Sequence, residues 1–282
     1  MMQPFKPKVK APAPELLHEM NSVLEANSLT TVCEAAACPN RAECYGRGSA
    51  TFMILGDTCT RACSFCNVKT GHGQKVDANE PLRLATAIQE LGLKYVVITS
   101  VDRDDLKDYG AEHFASCVRS IKELSPEIKI ELLTPDFRNN EDSLNAVIAS
   151  DAYKLAHNQE TVRRVTKSVR PQSDYDRSLK VLEYYAKNSK KIIKSSLMVG
   201  LGEREEELRE SMRDLLDVGV SELTIGQYLQ PTPQHHRVEK YYPQEFFDAM
   251  KEDAYAMGFH AVASGILVRS SYFAEELSNE TS

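Results

Sequence analysis

Short apolar runs alternate with longer segments of mixed polarity along most of the chain. The short runs are rich in β-branched residues, as in buried strands, whereas apolar residues in the longer segments recur every three or four positions, as on one face of a helix. The predicted strands are 51–55, 95–101, 129–134, 152–156, 192–199, 222–229 and a last short strand at 260–263. The predicted helices are 82–91, 111–124, 142–149, 175–187, 205–218 and 244–257.

Glycines close several of these helices, since Gly92, Gly219 and Gly258 directly follow predicted helical segments. Alternation of one strand with one helix predicts a parallel sheet covered by helices. Right-handed crossovers then allow either a doubly wound sheet or a complete or partial barrel. We expect an α/β fold, a partial (β/α)6 barrel of the TIM type, and the chemistry described below is the reason for that choice.

The composition excludes several classes of partner. The chain has 282 residues, 42% of them hydrophobic, and no apolar run approaches the roughly 20 residues that span a bilayer. With 34 basic and 41 acidic residues the net charge is -7, so no broad positive field attracts nucleic acid. Residues 1–14 lack the apolar core of a secretory signal and predict an extended, proline-rich arm. We expect a cytoplasmic protein with neither a nucleic-acid nor a membrane partner.

The cysteines are strongly clustered. Six of the seven lie between Cys33 and Cys66, and the remaining one is Cys117. Disulfide frameworks are typical of small secreted domains that lack a large core, so clustered thiols in this chain indicate metal binding instead. Cys117 shares helical spacing with apolar neighbours and is predicted to be a buried core residue.

Cys59, Cys63 and Cys66 form the downstream triplet, a C-x3-C-x2-C spacing in GDTCTRACSFCNV that directly follows a predicted strand. Loops after parallel strands carry the chemistry of such folds. Three thiolates hold three irons of a cubic cluster and leave the fourth iron open, as reductive cleavage of S-adenosylmethionine (SAM) requires. A zinc loop, the alternative, would need a fourth ligand nearby. The motif resembles the signature of the radical SAM superfamily.

Cys33, Cys38 and Cys44 form the upstream triplet, a C-x4-C-x5-C spacing in TVCEAAACPNRAECYGRG. Pro39 and Asn40 predict a turn that lets these thiols converge on a second cluster. The alternative is a single zinc site that shares thiols from both triplets. The strand predicted at 51–55 separates the triplets and disfavours that alternative.

The two cysteine spacings in this order resemble the lipoyl synthase family, and the resemblance extends from about residue 26 to residue 274. The segments that agree with the family are 100–115, 157–171, 195–203, 226–232 and 262–272. The resemblance implies a three-part chain. Residues 1–48 would carry the upstream triplet, residues 49–265 would form a radical SAM partial barrel, and residues 266–282 would form a tail with an R-S-S-Y motif.

In that family the upstream cluster is an auxiliary one, whose fourth iron is bound by a serine of the R-S-S-Y motif. The corresponding residue here is Ser271, with Ser270 as the alternative. An alkoxide is a hard, weakly held ligand on a soft site, so it leaves readily. Ile266 stands where the family usually has proline, so a less rigid tail is expected. The implied cofactors are two 4Fe–4S clusters and SAM.

The implied reaction inserts sulfur at C6 and C8 of an octanoyl group that is amide-linked to a lysine of a carrier protein. Unactivated C–H bonds require a carbon radical, and the auxiliary cluster would be the sulfur donor. The implied carriers are the glycine-cleavage H protein and the E2 domains of 2-oxoacid dehydrogenases. A ferredoxin or flavodoxin would donate electrons, and an iron–sulfur carrier would repair the cluster. The competing hypotheses are a biotin-synthase-like enzyme, a non-catalytic iron–sulfur carrier and a zinc-binding interaction module.

Several residues at predicted strand ends are candidates for holding SAM, because backbone groups approach a ligand closely where a strand ends and a helix begins. An ordinary helix start with acidic residues in its first turn is the alternative for the segment 200–203. The candidate cofactor contacts are Thr99, Ser100, Asn158, Gly200, Gly202 and Glu203.

Two further groups have open interpretations. Arg103, Asp104 and Asp105 follow the second predicted strand, where either an active-site role or a solvated turn is expected. His235 and His236 have no companion acid or thiol, which favours a surface or partner contact over metal binding. The candidates for a basic patch that would contact an acidic carrier are Arg163, Arg164, Lys167 and Arg170.

Overall fold

The computed structural model describes residues 14–36, 38–47, 49–272 and 274–275. Of the predicted N-terminal arm only Pro14 falls within these ranges, and it begins a helix. The described helices are α1 (Pro14–Ala26), α2 (Val32–Ala35), α3 (Arg41–Gly46), α4 (Glu80–Glu90), α5 (Ala111–Leu124), α6 (Glu141–Ala149), α7 (Arg163–Val169), α8 (Tyr175–Asn188), α9 (Glu205–Asp217) and α10 (Gln244–Met257). The described strands are β1 (Thr30–Thr31), β2 (Thr51–Ile54), β3 (Thr58–Cys59), β4 (Lys69–Thr70), β5 (Tyr95–Ser100), β6 (Lys129–Leu133), β7 (Lys154–Ala156), β8 (Ile192–Val199), β9 (Glu222–Gln227) and β10 (Ala261–Gly265).

The predicted strands and helices are all present, and their ends agree to within two residues. The pattern did not predict α1, which has 13 residues. The other elements that it did not predict are short. α7 has seven residues, and β1, β3 and β4 have two each. Such elements are too short for a period of 3.6 or 2 to be recognised in the sequence.

Eight of the described strands form one sheet in the order β1-β2-β5-β6-β7-β8-β9-β10. β1 pairs antiparallel with β2, and every other neighbouring pair is parallel. Across the described ranges β1 and β10 end the row, so the predicted partial barrel is confirmed. Parallel pairing brings the carboxyl ends of the strands to one rim, where such folds place their sites.

The helices pack on the outer face of the sheet through stripes of apolar side chains. α5 buries Phe114, Cys117, Val118 and Ile121, which recur at helical spacing. Cys117 is fully buried and burial raises the pKa of its thiol, so its prediction as a core residue is confirmed. In the part of the chain that the structure describes, no helix is long and apolar enough to cross a membrane.

Four buried charges, Glu131, Lys154, Lys194 and Glu222, lie together towards the amino-terminal ends of the strands, and we call them the charged floor. Lys194 Nζ donates to the two carboxylate oxygens of Glu131 at 2.9 and 3.1 Å, and Lys154 donates to Glu222. The Tyr95 hydroxyl also donates to Glu131, at 2.7 Å. Opposite charges offset the cost of removing these groups from water. The charged floor therefore fills this end of the barrel with paired polar groups.

Removal of one floor residue is expected to destabilise the fold strongly. In Lys194→Met, Glu131 stays buried and loses its closest cation, keeping the Tyr95 hydroxyl and Lys154, which is 4.0 Å away. The free energy of unfolding should therefore fall by about 3–5 kcal/mol. Lys187→Met is the matched control, because its exposed ion pair with Glu183 should contribute less than about 1 kcal/mol. Urea denaturation followed by circular dichroism measures both variants. An equal loss of unfolding free energy in the two variants would contradict the stabilising role of the charged floor.

Candidate active site

The downstream triplet lies on the loop that follows β2 at the rim. Leu55 (φ 69°) and Gly56 (φ 92°) turn the chain out of β2, and β3 then carries Cys59. The Cys66 N–H donates to the Cys63 carbonyl at 3.0 Å, which closes a tight turn. Burial raises the pKa of Cys59 to about 12 and that of Cys66 to about 11, and neighbouring thiols of the same triplet add to both shifts. The three thiols therefore lie close together.

Backbone amides from two loops point at the Cys59 sulfur. The N–H groups of Arg61 and Asp102 donate to Cys59 Sγ at 3.4 and 3.3 Å. Asp102 lies just beyond β5, and its carbonyl accepts from the Thr60 N–H at 3.0 Å. Amide hydrogen bonds favour the thiolate, the form that binds metal, and tune the bound metal. The ends of β2 and β5 are therefore joined around the first thiol.

The side chain of Arg61 anchors the same loop in a group that we call the Arg61 clamp, formed with Asp102, Asp104 and Asp136. Arg61 donates to Asp104 at 2.9 and 2.7 Å and to Asp136 at 2.6 Å, and its Nη1 lies 3.3 Å from an Asp102 oxygen. Burial alone would raise the pKa of Asp136, but the hydrogen bonds from Arg61 hold it well below its usual range. The clamp fixes the cysteine loop to the loops after β5 and β6.

Sequence reasoning missed Arg61 and left the roles of Arg103, Asp104 and Asp105 open. Asp104 belongs to the Arg61 clamp rather than to a solvated turn. Arg103 does pair with Asp105, through two hydrogen bonds of 2.8 Å, but the Arg103 side chain is buried. It packs so closely on Gly73 that a Cβ there would lie 2.1 Å from Arg103 Nε. Arg61 itself lies between two cysteines of the motif. Nothing in the local sequence predicts its ion pairs, because its partners lie on other loops.

The segment after β7 brings further polar groups to the downstream triplet. The Asn158 amide donates to Glu160 Oε1 at 3.1 Å. Burial raises the pKa of Cys63, and the charge and hydrogen bond of Arg170 oppose that rise. Arg170 is 8% exposed, and no described residue bonds its Nε atom. Asn158, Glu160 and Arg170 therefore form a polar wall beside Cys63.

The structure divides the four candidates for a basic patch, because Arg163, Arg164 and Lys167 are exposed whereas Arg170 is not. Arg170 is buried in the polar wall. Arg163 donates to Asp176 at 2.5 Å, and Arg164 forms two hydrogen bonds with Glu207 at 2.7 and 2.8 Å. Carboxylates therefore neutralise the two exposed arginines, which reduces their attraction for an acidic partner.

β8 ends in a glycine loop, residues 200–203, at the same rim. Gly200 (φ 99°) and Gly202 (φ 106°) adopt left-handed conformations that favour glycine. The Glu203 carboxylate accepts from the N–H groups of Gly200 at 2.6 Å and Leu201 at 2.8 Å. Glu203 is therefore engaged by its own loop and sets the shape of that loop.

Thr99 and Ser100 end β5 and face opposite sides of the strand. Thr99 shares the face of Tyr95, which bonds to the charged floor inside the barrel, whereas Ser100 shares the outer face of Ile98. The Ser100 hydroxyl has no partner among the residues described. The rim thus receives Thr99, the polar wall and the glycine loop from three different strands.

Residues 228–242 form a histidine loop that packs on the cysteine loop. His235 Nε2 lies 3.1 Å from the Cys66 carbonyl oxygen, and the His236 N–H donates to the Ser64 carbonyl at 2.8 Å. The buried Gln227 amide fixes the start and end of the histidine loop by donating to the carbonyls of Tyr228 and Lys240, each at 3.1 Å. Both histidines are half-buried, and their contacts with the cysteine loop were not predicted from the sequence. His235 and Cys66 are 169 residues apart, and nothing in the local sequence signals their contact.

The upstream triplet lies on and between two short helices, with Cys33 in α2 and Cys44 in α3. The predicted turn is present at Pro39 and Asn40, directly before α3. Burial raises the pKa of Cys33 to about 11 and that of Cys44 to about 12, and thiols of the same triplet, Cys38 among them, add to both shifts. The six thiols therefore form two groups of three.

The C-terminal tail returns to the upstream triplet. Ser271 Oγ accepts a hydrogen bond of 2.7 Å from the Thr51 hydroxyl. The Tyr272 hydroxyl donates to Glu43 in α3 at 3.1 Å. Among the described residues none bonds the Ser270 side chain. The R-S-S-Y motif therefore lies beside the upstream triplet, and Ser271 is its serine that contacts β2.

Contacts before the motif fix the path of the tail. The Asn40 amide donates to the Leu267 carbonyl at 2.6 Å. On the other side, the Val268 carbonyl oxygen packs against Gly226 of β9, where an added Cβ would lie 2.0 Å from it. Ile266 packs against the hydrophobic core. The tail therefore spans the space between β9 and the N-terminal helices.

The two groups of thiols suit iron–sulfur clusters. All six cysteines are free, and each triplet brings its sulfurs near enough to influence one another's pKa. In the described ranges, no three Cys, His, Asp or Glu side chains converge on a position for a single metal ion. A cubic cluster places its irons at separate corners, so its cysteine ligands stand further apart than those of one ion.

Comparisons with known proteins agree with this geometry. The model of the family described as the Radical SAM superfamily matches residues 53–215. The fold is similar to SuiB of Streptococcus suis bound to S-adenosylmethionine, with a TM-score of 0.57 and 13% identity over 76% of this chain and 50% of that one. It is also similar to methylornithine synthase, with a TM-score of 0.56 and 14% identity over 85% of this chain and 68% of that one. The chain is therefore a radical SAM enzyme.

Sequence relatives define the family within this class. A lipoyl synthase of Caldicellulosiruptor saccharolyticus is 49% identical over 98% of this chain and 98% of its own length. A lipoyl synthase of Escherichia coli O1:K1 is 51% identical over 95% of this chain and 84% of its own length. The chain belongs to the lipoyl synthase family. Its cofactors are 4Fe–4S clusters and SAM, and it acts on a protein substrate.

The Arg61 clamp predicts a defect confined to the downstream site. In Arg61→Met three carboxylates lose their shared cation, so the cysteine loop should detach from the loops after β5 and β6. Iron bound after anaerobic reconstitution should fall from about eight to about four per chain, since one of two cubic clusters is lost. In the control Arg138→Met, Asp104 loses only its partly exposed partner, and iron should stay near eight. Equal iron in both variants would contradict the role of the clamp.

Proposed function

We propose that the two groups of thiols divide the lipoyl synthase reaction between them. Cys59, Cys63 and Cys66 would hold the cluster that cleaves SAM. The upstream triplet and Ser271 would hold the auxiliary cluster. The observation that carries this proposal is the presence of two separate groups of three free thiols. Within the described residues, only the upstream group has a serine of the tail beside it.

The rim residues around the downstream triplet would bind SAM and fix its orientation. The contacts at this rim support Thr99, which faces the barrel interior, and Asn158, which lies in the polar wall. Arg170 is a further candidate, because its buried cation has an Nε atom free to meet a carboxylate. The candidate cofactor contacts remain Thr99, Ser100, Asn158, Gly200, Gly202 and Glu203, joined by Glu160 and Arg170.

The chain's own residues would position the cofactors and exclude water. When bound, the cofactors supply a carbon-centred radical at the downstream site and sulfur at the upstream site. Phe65 lies between Cys63 and Cys66 in the sequence and packs against the hydrophobic core, where it would shield the sulfurs from solvent. His235 and His236 bond to carbonyl groups of the cysteine loop and would hold that loop in place. Glu203 bonds to the N–H groups of Gly200 and Leu201 and would fix the shape of the glycine loop.

The proposed substrate is an octanoyl group on a lysine of a carrier domain, which would receive sulfur at C6 and C8. The glycine-cleavage H protein and the E2 domains of 2-oxoacid dehydrogenases are the proposed carriers. A ferredoxin or flavodoxin would donate electrons, and an iron–sulfur carrier would rebuild the auxiliary cluster. Six free thiols require a reducing compartment, which supports a location in the cytoplasm.

The division of the chain into residues 1–48, 49–265 and 266–282 is part of the same proposal. The upstream triplet precedes β2, the parallel strands run from β2 to β10, and the tail begins directly after Gly265. Each part would then supply one component: auxiliary thiols, the radical site and the serine ligand.

An octanoylated lysine peptide tests the proposed reaction. Incubation of the anaerobically reconstituted enzyme with this peptide, SAM and dithionite should yield a product with two added sulfur atoms, detected by mass spectrometry. Protein-bound iron and sulfide should each be about eight per chain. Zinc in place of iron and sulfide would refute both the cluster assignment and the reaction.

Two alanine variants separate the roles of the triplets. Cys63→Ala should abolish 5'-deoxyadenosine formation, because the downstream cluster loses one of three thiolates. Cys38→Ala should retain 5'-deoxyadenosine formation and lose sulfur insertion, because only the sulfur source is removed. Liquid chromatography with mass detection measures both products in one reaction. Continued formation of 5'-deoxyadenosine by Cys63→Ala would contradict the role of the downstream triplet. Sulfur-containing peptide formed by Cys38→Ala would contradict the role of the upstream triplet.

A further inference from the structure

The hydroxyl of Thr51 links the sheet to the C-terminal tail. Thr51 is the first residue of β2 and is 5% exposed. Its Oγ1 donates to Ser271 Oγ at 2.7 Å, the usual distance for a hydrogen bond between two hydroxyl groups. The partners are 220 residues apart, so this bond joins two distant parts of the chain.

The same threonine contacts the upstream triplet. The backbone N–H and the side-chain hydroxyl of Thr51 both lie within hydrogen-bonding range of the Cys33 thiol. One buried hydroxyl is therefore within reach of a cysteine and of the serine that we assign to the same cluster. The direction of the bond to Ser271 also fits a ligand, because an alkoxide oxygen has no proton and only accepts hydrogen bonds.

We propose that Thr51 is a positioning residue that selects Ser271, rather than Ser270, as the fourth protein ligand of the auxiliary cluster. This inference rests on the proposed function, and it adds a residue outside the cysteine and R-S-S-Y motifs. Thr51 also retains the Ser271 oxygen beside the cluster whenever the oxygen is not bound to iron.

Contacts on either side of the two serines fix the path of the tail but do not fix the position of the ligand oxygen. The bonds from Asn40 to Leu267 and from Tyr272 to Glu43 hold the tail on either side of the two serines. A serine side chain still has three staggered rotamers, and only one directs its oxygen at a given point. The hydrogen bond from Thr51 stabilises that rotamer for Ser271, and no described residue does so for Ser270. Selection of one serine follows from this difference.

Release of iron from the reconstituted full-length protein tests the proposal. SAM is added without reductant to cover the open iron of the downstream cluster, and an iron chelator then removes the most weakly held iron of the auxiliary cluster. In Thr51→Val this release should be about fivefold faster, the factor that corresponds to one lost hydrogen bond. Thr51→Ser keeps the hydroxyl and should release iron at the wild-type rate. Melting temperatures measured in parallel report on the fold.

Thr224→Val is the matched control, because Thr224 is a buried threonine of β9 whose hydroxyl has no partner in the described part of the chain. It should leave iron release unchanged. Ser271→Ala should release iron at least as fast as Thr51→Val, and Ser270→Ala should match the wild type.

The outcomes separate this inference from the proposed function. If Thr51→Val releases iron at the wild-type rate and Ser271→Ala releases it faster, the role of Thr51 is overturned and the serine ligand stays in place. Wild-type release in Ser271→Ala overturns the ligand assignment itself. Fast release in Ser270→Ala overturns the selection of Ser271, and this result does not depend on how well Thr51→Val folds.

Discussion

The pairing of β2 between β1 and β5 is the constraint on which both cysteine sites depend. On one side, β1 pairs with β2 and leads directly into α2, which carries Cys33. On the other side, Ile54 pairs with Ser100 of β5. Two residues further along, the Asp102 N–H donates to the Cys59 sulfur. A strand of four residues spans about 13 Å, so β2 acts as a short, stiff spacer between the two sites. Their separation is set by the sheet rather than by loops.

Buried charge supports the barrel at both ends, by different arrangements. At the charged floor, cations and anions pair among neighbouring strands and fill the interior. At the rim, Arg61 gathers carboxylates from two loops around a single guanidinium. The first arrangement stabilises the sheet, and the second fixes a functional loop to it. A net charge of -7 reveals neither, because it counts charges without locating them.

Local pattern predicted the barrel strands, the helices between them and the two thiol groups, because strand and helix periods and cysteine spacing are properties of neighbouring residues. Contacts between distant segments could not be predicted in this way. The contact of His235 with the cysteine loop and the burial of Arg170 beside Cys63 were both unexpected. Each of these polar residues has a partner that lies more than 100 residues away in the sequence. The position of Ser271 beside the upstream triplet was expected only from family resemblance, and its contact with Thr51 was not expected at all.

The tail connects the last part of the chain with the first. Asn40 and Thr51 bond to Leu267 and Ser271, so these contacts join segments that lie 227 and 220 residues apart and are synthesised at very different times. The described contacts of the downstream cysteine loop, in contrast, involve no residue beyond 236. They can therefore form in a nascent chain that still lacks its tail. The contacts around Ser271 form only once residue 271 has been made, so the upstream site is the later of the two to be assembled.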